Sequence, residues 1–337
     1  MAQQKRFGPR WLAALLCFVG LAAHAQTDYS AYGVADFSYG RFEPSGLYRE
    51  YRVNSNSLTA SFAGVNLKHG LENGLTPGIT LETFVRFQTL QTGRSDRDPL
   101  LSRNAFVSLN HRDYGLLRVG RLQTSLFNIT SRFNALQNSV GFSPAVRHIF
   151  ASGNLEGVQG DFYWNRAVGY TSPTLSGITA DLMYSQGNQD EHGDQASASV
   201  VMSRGLLAMS LATQRVHFND GIADPTDEST WQLGAAYNFG VSRAFGQFTQ
   251  TRDKGLDVNS KTMTGGVSIP VRSGSVLVQV ASTKATGPAV DRKHTSFSAA
   301  YVYEYDSVTD VYLIGMDDRV VGQTQGQSAA IGVRYRF

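Results

Sequence analysis

The sequence is short of cysteine, of long apolar runs and of net charge, and each shortage excludes a class of protein. Its one cysteine, Cys17, falls in an apolar stretch near the N-terminus, so the rest of the chain has no disulfide to rely on. Past residue 21 no apolar run approaches the roughly 20 residues of a spanning helix, so a helical membrane protein is excluded. The formal charge of +3 is carried by Lys5, Arg6 and Arg10. Beyond them, basic side chains only balance the 27 acidic ones, and nucleic acid is not a natural partner. Prolines number 9 against 34 glycines, with 15 tyrosines and 19 phenylalanines.

What is present begins with a leader. Lys5, Arg6 and Arg10 precede the apolar stretch Trp11 to Leu21, and Ala23-His24-Ala25 has the small residues of a cleavage site. Residues 1–25 are therefore expected to be a signal peptide, and 26–337 one exported domain. Cys17 lacks the small residue that precedes a lipid-modified cysteine. An exported chain rich in alternating segments and without a spanning helix has two main forms, a soluble all-β protein or an outer-membrane barrel.

Extended segments recur along the whole chain. They read as Tyr29–Gly40, Leu58–His69, Ile79–Gln91, Arg103–Asn110, Leu116–Arg121, Phe162–Ser172, Ile178–Gln186 and Ser197–Ser203. Eight more follow: Leu206–Val216, Trp231–Phe239, Arg243–Thr251, Thr262–Ile269, Ser275–Lys284, Thr295–Tyr305, Thr309–Met316 and Ser328–Phe337. The links alternate between tight and long. Arg204-Gly205, Gly240-Val241, Pro270–Gly274 and Asp306–Val308 are tight; Gly187–Ala196, His217–Thr230, Arg252–Lys261, Ala285–His294 and Asp317–Gln327 are long. An all-β, 16-stranded antiparallel transmembrane β-barrel sorts its connections in this way, with short periplasmic turns and long extracellular loops. A sandwich has no reason to. The longest non-periodic stretch, Leu122 to about Gly160, is too long to be an idle loop.

Faces support the same reading. Side chains alternate along a strand, so Trp231, Leu233, Tyr237 and Phe239 share one face opposite Gln232, Gly234, Ala236 and Asn238. Phe297, Tyr301, Tyr303 and Tyr305 oppose Ser296, Ser298 and Glu304. In the last strand Ile331, Val333, Tyr335 and Phe337 oppose Ala330, Gly332, Arg334 and Arg336. Apolar faces ending in aromatics suit lipid, and small polar faces suit a wet lumen. Two segments break the pattern. Thr309–Met316 is nearly all apolar, and Arg166 falls on the Val168/Tyr170 face.

Stretches spread in order along the chain carry a resemblance. They include Tyr29–Asp36, Arg103–Leu109, Tyr114–Arg121, Tyr170–Gly177, Leu233–Val241 and the ending Ile331–Phe337. On these the chain resembles the trimeric general porins of Gram-negative bacteria, the beta-proteobacterial group in particular. The resemblance implies a homotrimer in the outer membrane and a third long loop folded into the lumen as the constriction. It also implies contact with outer-membrane lipids and lipopolysaccharide, and Val333, Tyr335 and Phe337 as the signal for the barrel-insertion machinery. Relatives often carry an arginine where Phe62 stands, so their arginine ladder does not transfer from that strand.

A porin's chemistry is the field in its hole. Glu82 and Arg86 share the face opposite Leu81, Val85 and Phe87; Arg118 opposes Leu117 and Val119. Arg121 stands at the entrance of the long stretch, which itself carries Arg132, Arg147 and His148 against the single acid Glu156. These charges, with Asp36 as a barrel carboxylate, are the candidate selectivity residues, and their excess of positive charge implies mild anion preference. The expected cargo is small hydrophilic solutes and anions. The alternatives are a substrate-specific channel, which often lines its path with aromatics such as Tyr32, and an exported β-protein without a pore. No histidine stands in zinc-ligand spacing or beside a nucleophile motif, so no enzyme, cofactor or metal is expected.

Overall fold

The structure is a computed structural model describing residues 27–150, 157–186, 192–218 and 226–337. The expected leader and Glu156 lie outside the described residues. In chain order the strands are β1 Thr27–Phe42, β2 Glu50–Asn54, β3 Phe62–His69, β4 Leu75–Arg86, β5 Gln91–Thr92, β6 Ala105–His111 and β7 Gly115–Gln123. Two helices follow, α1 Ser125–Arg132 and α2 Pro144–Ile149. The sheet then continues as β8 Tyr163–Thr171, β9 Ile178–Ser185, β10 His192–Arg204, β11 Leu207–Phe218, β12 Thr226–Asn238 and β13 Arg243–Asp253. It ends with β14 Val258–Val271, β15 Gly274–Gly287, β16 Val290–Glu304, β17 Thr309–Val320 and β18 Gly326–Arg336.

The long strands pair antiparallel in sequence order, and β1 closes the ring. Its second half pairs with β18, Val34 to Arg41 against Arg336 to Ala329, and its first half pairs with β3. With the short β2 and β5 counted as loop ribbons, the wall has sixteen strands. Closure removes every sheet edge, which is the condition for crossing lipid with strands. No described helix is long and apolar enough to cross.

Side chains sort across this wall as their alternation requires. Leu233, Phe239, Phe297, Tyr305, Ile331 and Val333 are exposed on the outside, whereas Gln232, Gln279, Ser296 and Ser298 are fully buried inside. Both irregular segments have a cause. Tyr312, Ile314 and Met316 of β17 face inward onto Leu136 and Phe142 of the long loop, so that strand is apolar on both faces. Arg166 lies at a bulge, where β8 spends an extra residue opposite Gly120–Leu122, and is exposed there with a φ of 49°.

Several link boundaries differ from expectation. The expected loop Arg252–Lys261 shrinks to Lys254–Asp257, because Asp253 Oδ1 accepts from the N–H groups of Gly255 and Leu256 and closes a tight turn. Ala285–His294 is likewise mostly strand, with only Pro288 and Ala289 between β15 and β16. Continued pairing satisfies backbone groups that an open loop would leave to water. The expected link Gly70–Gly78 gives up Leu75 to Gly78 to β4, with Pro77 opposite Leu109.

The stretch from Thr124 to Phe150 lies inside the barrel. Thr124 caps α1 by accepting from Phe127 N–H at 3.3 Å, and Ser143 caps α2, with Pro144 in its first turn. Leu126, Phe127, Ile129 and Phe133 pack on Val201, Ala212 and Ala236 of the wall. No such helices were read from the sequence, because each is only one or two turns long.

Candidate functional site

The loop is docked on one side of the lumen by neutral chemistry. Gln232 Nε2 donates to Thr130 Oγ1 at 3.0 Å and to Thr249 Oγ1 at 2.8 Å, and Gln247 Nε2 donates to the Thr130 carbonyl at 2.8 Å. Gln279 Oε1 accepts from Leu136 N–H and from Ser143 Oγ, both at 3.3 Å. These wall amides satisfy loop groups that would otherwise be buried unpaired. Close approach needs small wall residues. A Cβ on Gly234 would stand 2.5 Å from Ser210 Oγ and 3.1 Å from the Phe133 ring, and one on Gly266 would stand 3.2 Å from Ala135 Cβ. Further along, His148 donates or accepts through Nδ1 at 2.8 Å from Thr283 Oγ1 and through Nε2 at 2.8 Å from Ser296 Oγ. Burial, and then the neighbouring His294 imidazole, push His148 well below its ordinary pKa, so the ring is neutral at pH 7.

The opposite wall is charged. Arg103 reaches Glu82 at 2.5 Å and lies 3.8 Å over the Phe62 ring, while Glu82 also accepts from Tyr32 Oη at 2.6 Å and Asn104 Nδ2 at 2.7 Å. Asp161 joins Arg94 at 2.8 Å to Arg121 at 2.7 Å, and Arg94 also holds Asp98 at 2.8 Å. Arg118 donates to Asp181 at 2.7 Å and Thr171 at 2.9 Å; Arg86 pairs with Asp96 at 2.6 Å. Arg121 is buried and donates further to the Ser102 carbonyl and Asn165.

The sequence-selected residues thus fall in different settings. Glu82, Arg86, Arg118 and Arg121 sit in that ion-pair ladder. Arg147 lies 3.5 Å from Asp318 and donates to the Gly141 carbonyl at 3.4 Å. Arg132 is exposed to the lumen, with no carboxylate in ion-pair reach among the described residues. Asp36 is fully buried and accepts from the N–H groups of Ser57, Leu58 and Thr59 and from Tyr312 Oη at 2.7 Å. It ties the segment after β2 to β17 and is spent on that contact. Phe337 is stitched to Gly33 by a reciprocal backbone pair at 2.9 and 3.2 Å, and Tyr335 stacks on it.

Sequence reading passed over Arg94, Arg103, Asp161 and Arg243. Arg103 lies just before β6, and its guanidinium stands 3.8 Å over the ring of Phe62 on β3. Arg243 had only its position at the start of a strand. It faces a chamber of about 640 Å³ beneath the loop, together with Arg132, Arg334, Arg336, Glu304 and Asp310. Asp310 is held by Arg334 at 2.6 Å and by Arg336, which leaves Arg132 and Arg243 as cations free of carboxylates among the described residues.

A closed wall with an apolar exterior and a polar interior narrowed by an inserted loop defines a water-filled membrane channel of the porin class. The profile of the Gram-negative porin family matches residues 12–323, and the chain belongs to that family. It is 27% identical over 305 residues to outer membrane porin protein 32 of Delftia acidovorans, covering 86% of this chain and 84% of that one. It is 22% identical over 388 residues to an outer membrane porin protein of Bordetella pertussis, covering 96% of this chain and 98% of that one. Among solved structures it matches an anion-selective porin from Comamonas acidovorans with a TM-score of 0.78 at 21% identity, covering 93% of this chain and all of that one. The protein is an outer-membrane porin, a channel for passive diffusion.

Proposed function

We propose that this porin passes small hydrophilic solutes with a mild preference for anions, and that it works as a homotrimer in contact with outer-membrane lipids and lipopolysaccharide. Its reading is transport and not catalysis, with residues 1–25 removed on export and Val333, Tyr335 and Phe337 presented to the insertion machinery. The observation that carries the selectivity is the chamber beneath the loop, where four arginines meet two carboxylates and one of those carboxylates is already shared by two arginines. In a narrow passage with low-dielectric walls, Arg132 and Arg243 set a positive field for any passing ion. A unit charge about 4 Å away is worth roughly 1–4 kcal/mol between bulk water and a protein surface. Salt screens it over about 10 Å at 0.1 M.

Planar-bilayer reversal potentials in a salt gradient test this. Replacing Arg132 and Arg243 together by Gln should move the potential toward cation preference, more at 0.1 M than at 1 M salt, with single-channel conductance changed less. An unchanged potential at low salt would remove the anion-preferring reading.

A further inference from the structure

Three residues far apart in the chain, His148, His294 and Asp318, meet where α2 touches the wall. Their ligand-capable atoms all lie within 4.8 Å of one another, and all three side chains are buried. At their centre is the hydroxyl of Ser296. Its Oγ lies 2.8 Å from His148 Nε2, 3.2 Å from His294 Nε2 and 2.5 Å from Asp318 Oδ1. His294 Nε2 also lies 2.7 Å from Asp318 Oδ1. A hydroxyl has one proton to give, so it cannot donate to all three. The two imidazole nitrogens must bring protons of their own or share a cation.

We propose that this cluster is a binding site for a divalent transition cation of the zinc type, which staples the constriction loop to β16 and β17. Two imidazoles, one carboxylate oxygen and one hydroxyl make four donors, a set that fits tetrahedral zinc and its borderline neighbours better than calcium or magnesium. The wall half is preset, because Ser296 stands opposite Asp318 in the register of β16 and β17, with His294 two residues along the same face. The partners behind the ligands are in place as well. Thr283 occupies His148 Nδ1, which turns Nε2 to the centre, and Asp318 Oδ2 is taken up by Ser45 N–H at 3.1 Å and Arg147 at 3.5 Å, which leaves Oδ1 facing the other donors.

Donors held at about 2.0–2.2 Å around a tetrahedral ion stand roughly 3.3–3.6 Å apart, so Asp318 Oδ1, His294 Nε2 and Ser296 Oγ, now 2.5–3.2 Å from one another, spread slightly to admit the ion. The two rings are nearly parallel, 14° apart at 3.9 Å, so one of them must tilt. His148 is the one able to do so, because α2 is a six-residue helix held outside the sheet. Loading therefore exchanges hydrogen bonds between loop and wall for coordination bonds, and the chamber's Arg132 and Arg243 are left untouched.

The test uses the purified, folded barrel and Zn²⁺ alone. Calorimetry should show saturable binding of one ion per chain, with a rise in the apparent unfolding temperature that EDTA reverses. His148→Gln, which can keep one hydrogen bond to the wall, should abolish both effects. Thr283→Val should weaken binding about 10–100-fold without removing a ligand. Binding that is absent, or that survives both His148→Gln and Asp318→Asn, would overturn the site, since it would then belong to surface histidines such as His69 or His111. Metal-free conductance is read separately, so a failed site and a failed channel give different results.

Discussion

The two sides of the lumen are built from different chemistry. From Thr230 through Phe245, and again along β14 and β15, the inner face offers glutamines, serines, threonines, glycines and small apolar residues; the charges stand only at the strand ends, as Glu228 and Asp253 above and Arg243 and Glu304 below. From β3 to β9 the inner face carries Arg86, Arg94, Arg103, Arg118 and Arg121 with their carboxylates. The neutral side carries α1 and its packing, while under α2 the buried carboxylate of Asp318 is met by Arg147 and His294. A charge buried beneath the loop would lose its water without a guaranteed partner, whereas an amide can be satisfied by loop backbone. On the charged side Glu82 and Arg121 are buried in their ion pairs, while Arg86, Arg94, Arg103 and Arg118 stay partly exposed and can act on passing ions. The barrel thus separates the surface that holds the gatekeeping loop from the ion-pair ladder, while the chamber beneath the loop, with Arg132 and Arg243, sets the field.

Breaking the neutral side should have the largest effect. Phe133 is fully buried between the loop and the wall, over Gly234, and truncating a buried phenylalanine costs about 3–5 kcal/mol. Phe133→Ala should release the loop, which would show as noisier open-channel current and faster proteolysis within residues 133–143, with reversal potential changed little. On the charged side, Arg103→Gln should leave Glu82 undercompensated and move the reversal potential toward cations. The scale is roughly 1–4 kcal/mol for an ion passing about 4 Å away. A stable loop in the first variant, or an unshifted potential in the second, would mean that the two walls do not divide their work in this way.

How far the sequence revealed this division depended on the range of the interaction. Strand number, alternation of faces and order of links are local, so the barrel was legible from the positions of Trp231, Phe239, Phe297 and Tyr305. The apolar inner face of β17 was visible as an anomaly but had no explanation until Leu136 and Phe142 were seen against it. Asp36 read as a pore carboxylate because nothing in the strand showed that three backbone N–H groups would close on it. The histidines at 148 and 294 share no local spacing, and only the docking of α2 stacks them. Arg147 and Arg132 look alike in sequence; the loop's path places one near Asp318 and the other in the open chamber.

A smaller effect should follow from acid. Asp98 lies on the loop between β5 and β6, where burial alone would raise its pKa. The Arg94 guanidinium and backbone N–H, helped by Arg121, outweigh that burial and hold it below the usual carboxylate range. Because the folded value is depressed, the stabilisation is present above the unfolded value near ~3.9 and is lost as pH falls through the folded one. The Arg94–Asp98–Asp161 cluster should therefore loosen below about pH 4. Comparing protease sensitivity of residues 93–104 at pH 3 and pH 7 reads this, and Asp98→Asn should flatten the difference. An unaltered acid response in the variant would mean that another carboxylate sets it.

The smallest effect is the sharpest test of the comparison, because it should be silent in one measurement. Gln232 is buried in the neutral wall and donates to Thr130 and Thr249. Leucine has nearly the same reach and no polar atoms. Thr130 Oγ1 keeps its bond to the Leu126 carbonyl at 2.9 Å, but Thr130 Oγ1 and Thr249 Oγ1 both lose the Gln232 amide. The expected loss for Gln232→Leu is about 1–2 kcal/mol of stability, from two hydrogen bonds of the usual modest net worth. No charge is gained or removed, so reversal potentials at 0.1 M and 1 M salt should match those of the unaltered channel. If the potential shifts as far as it does for Arg103→Gln, the loop's position and not the arginine ladder sets selectivity, and the two walls act as one.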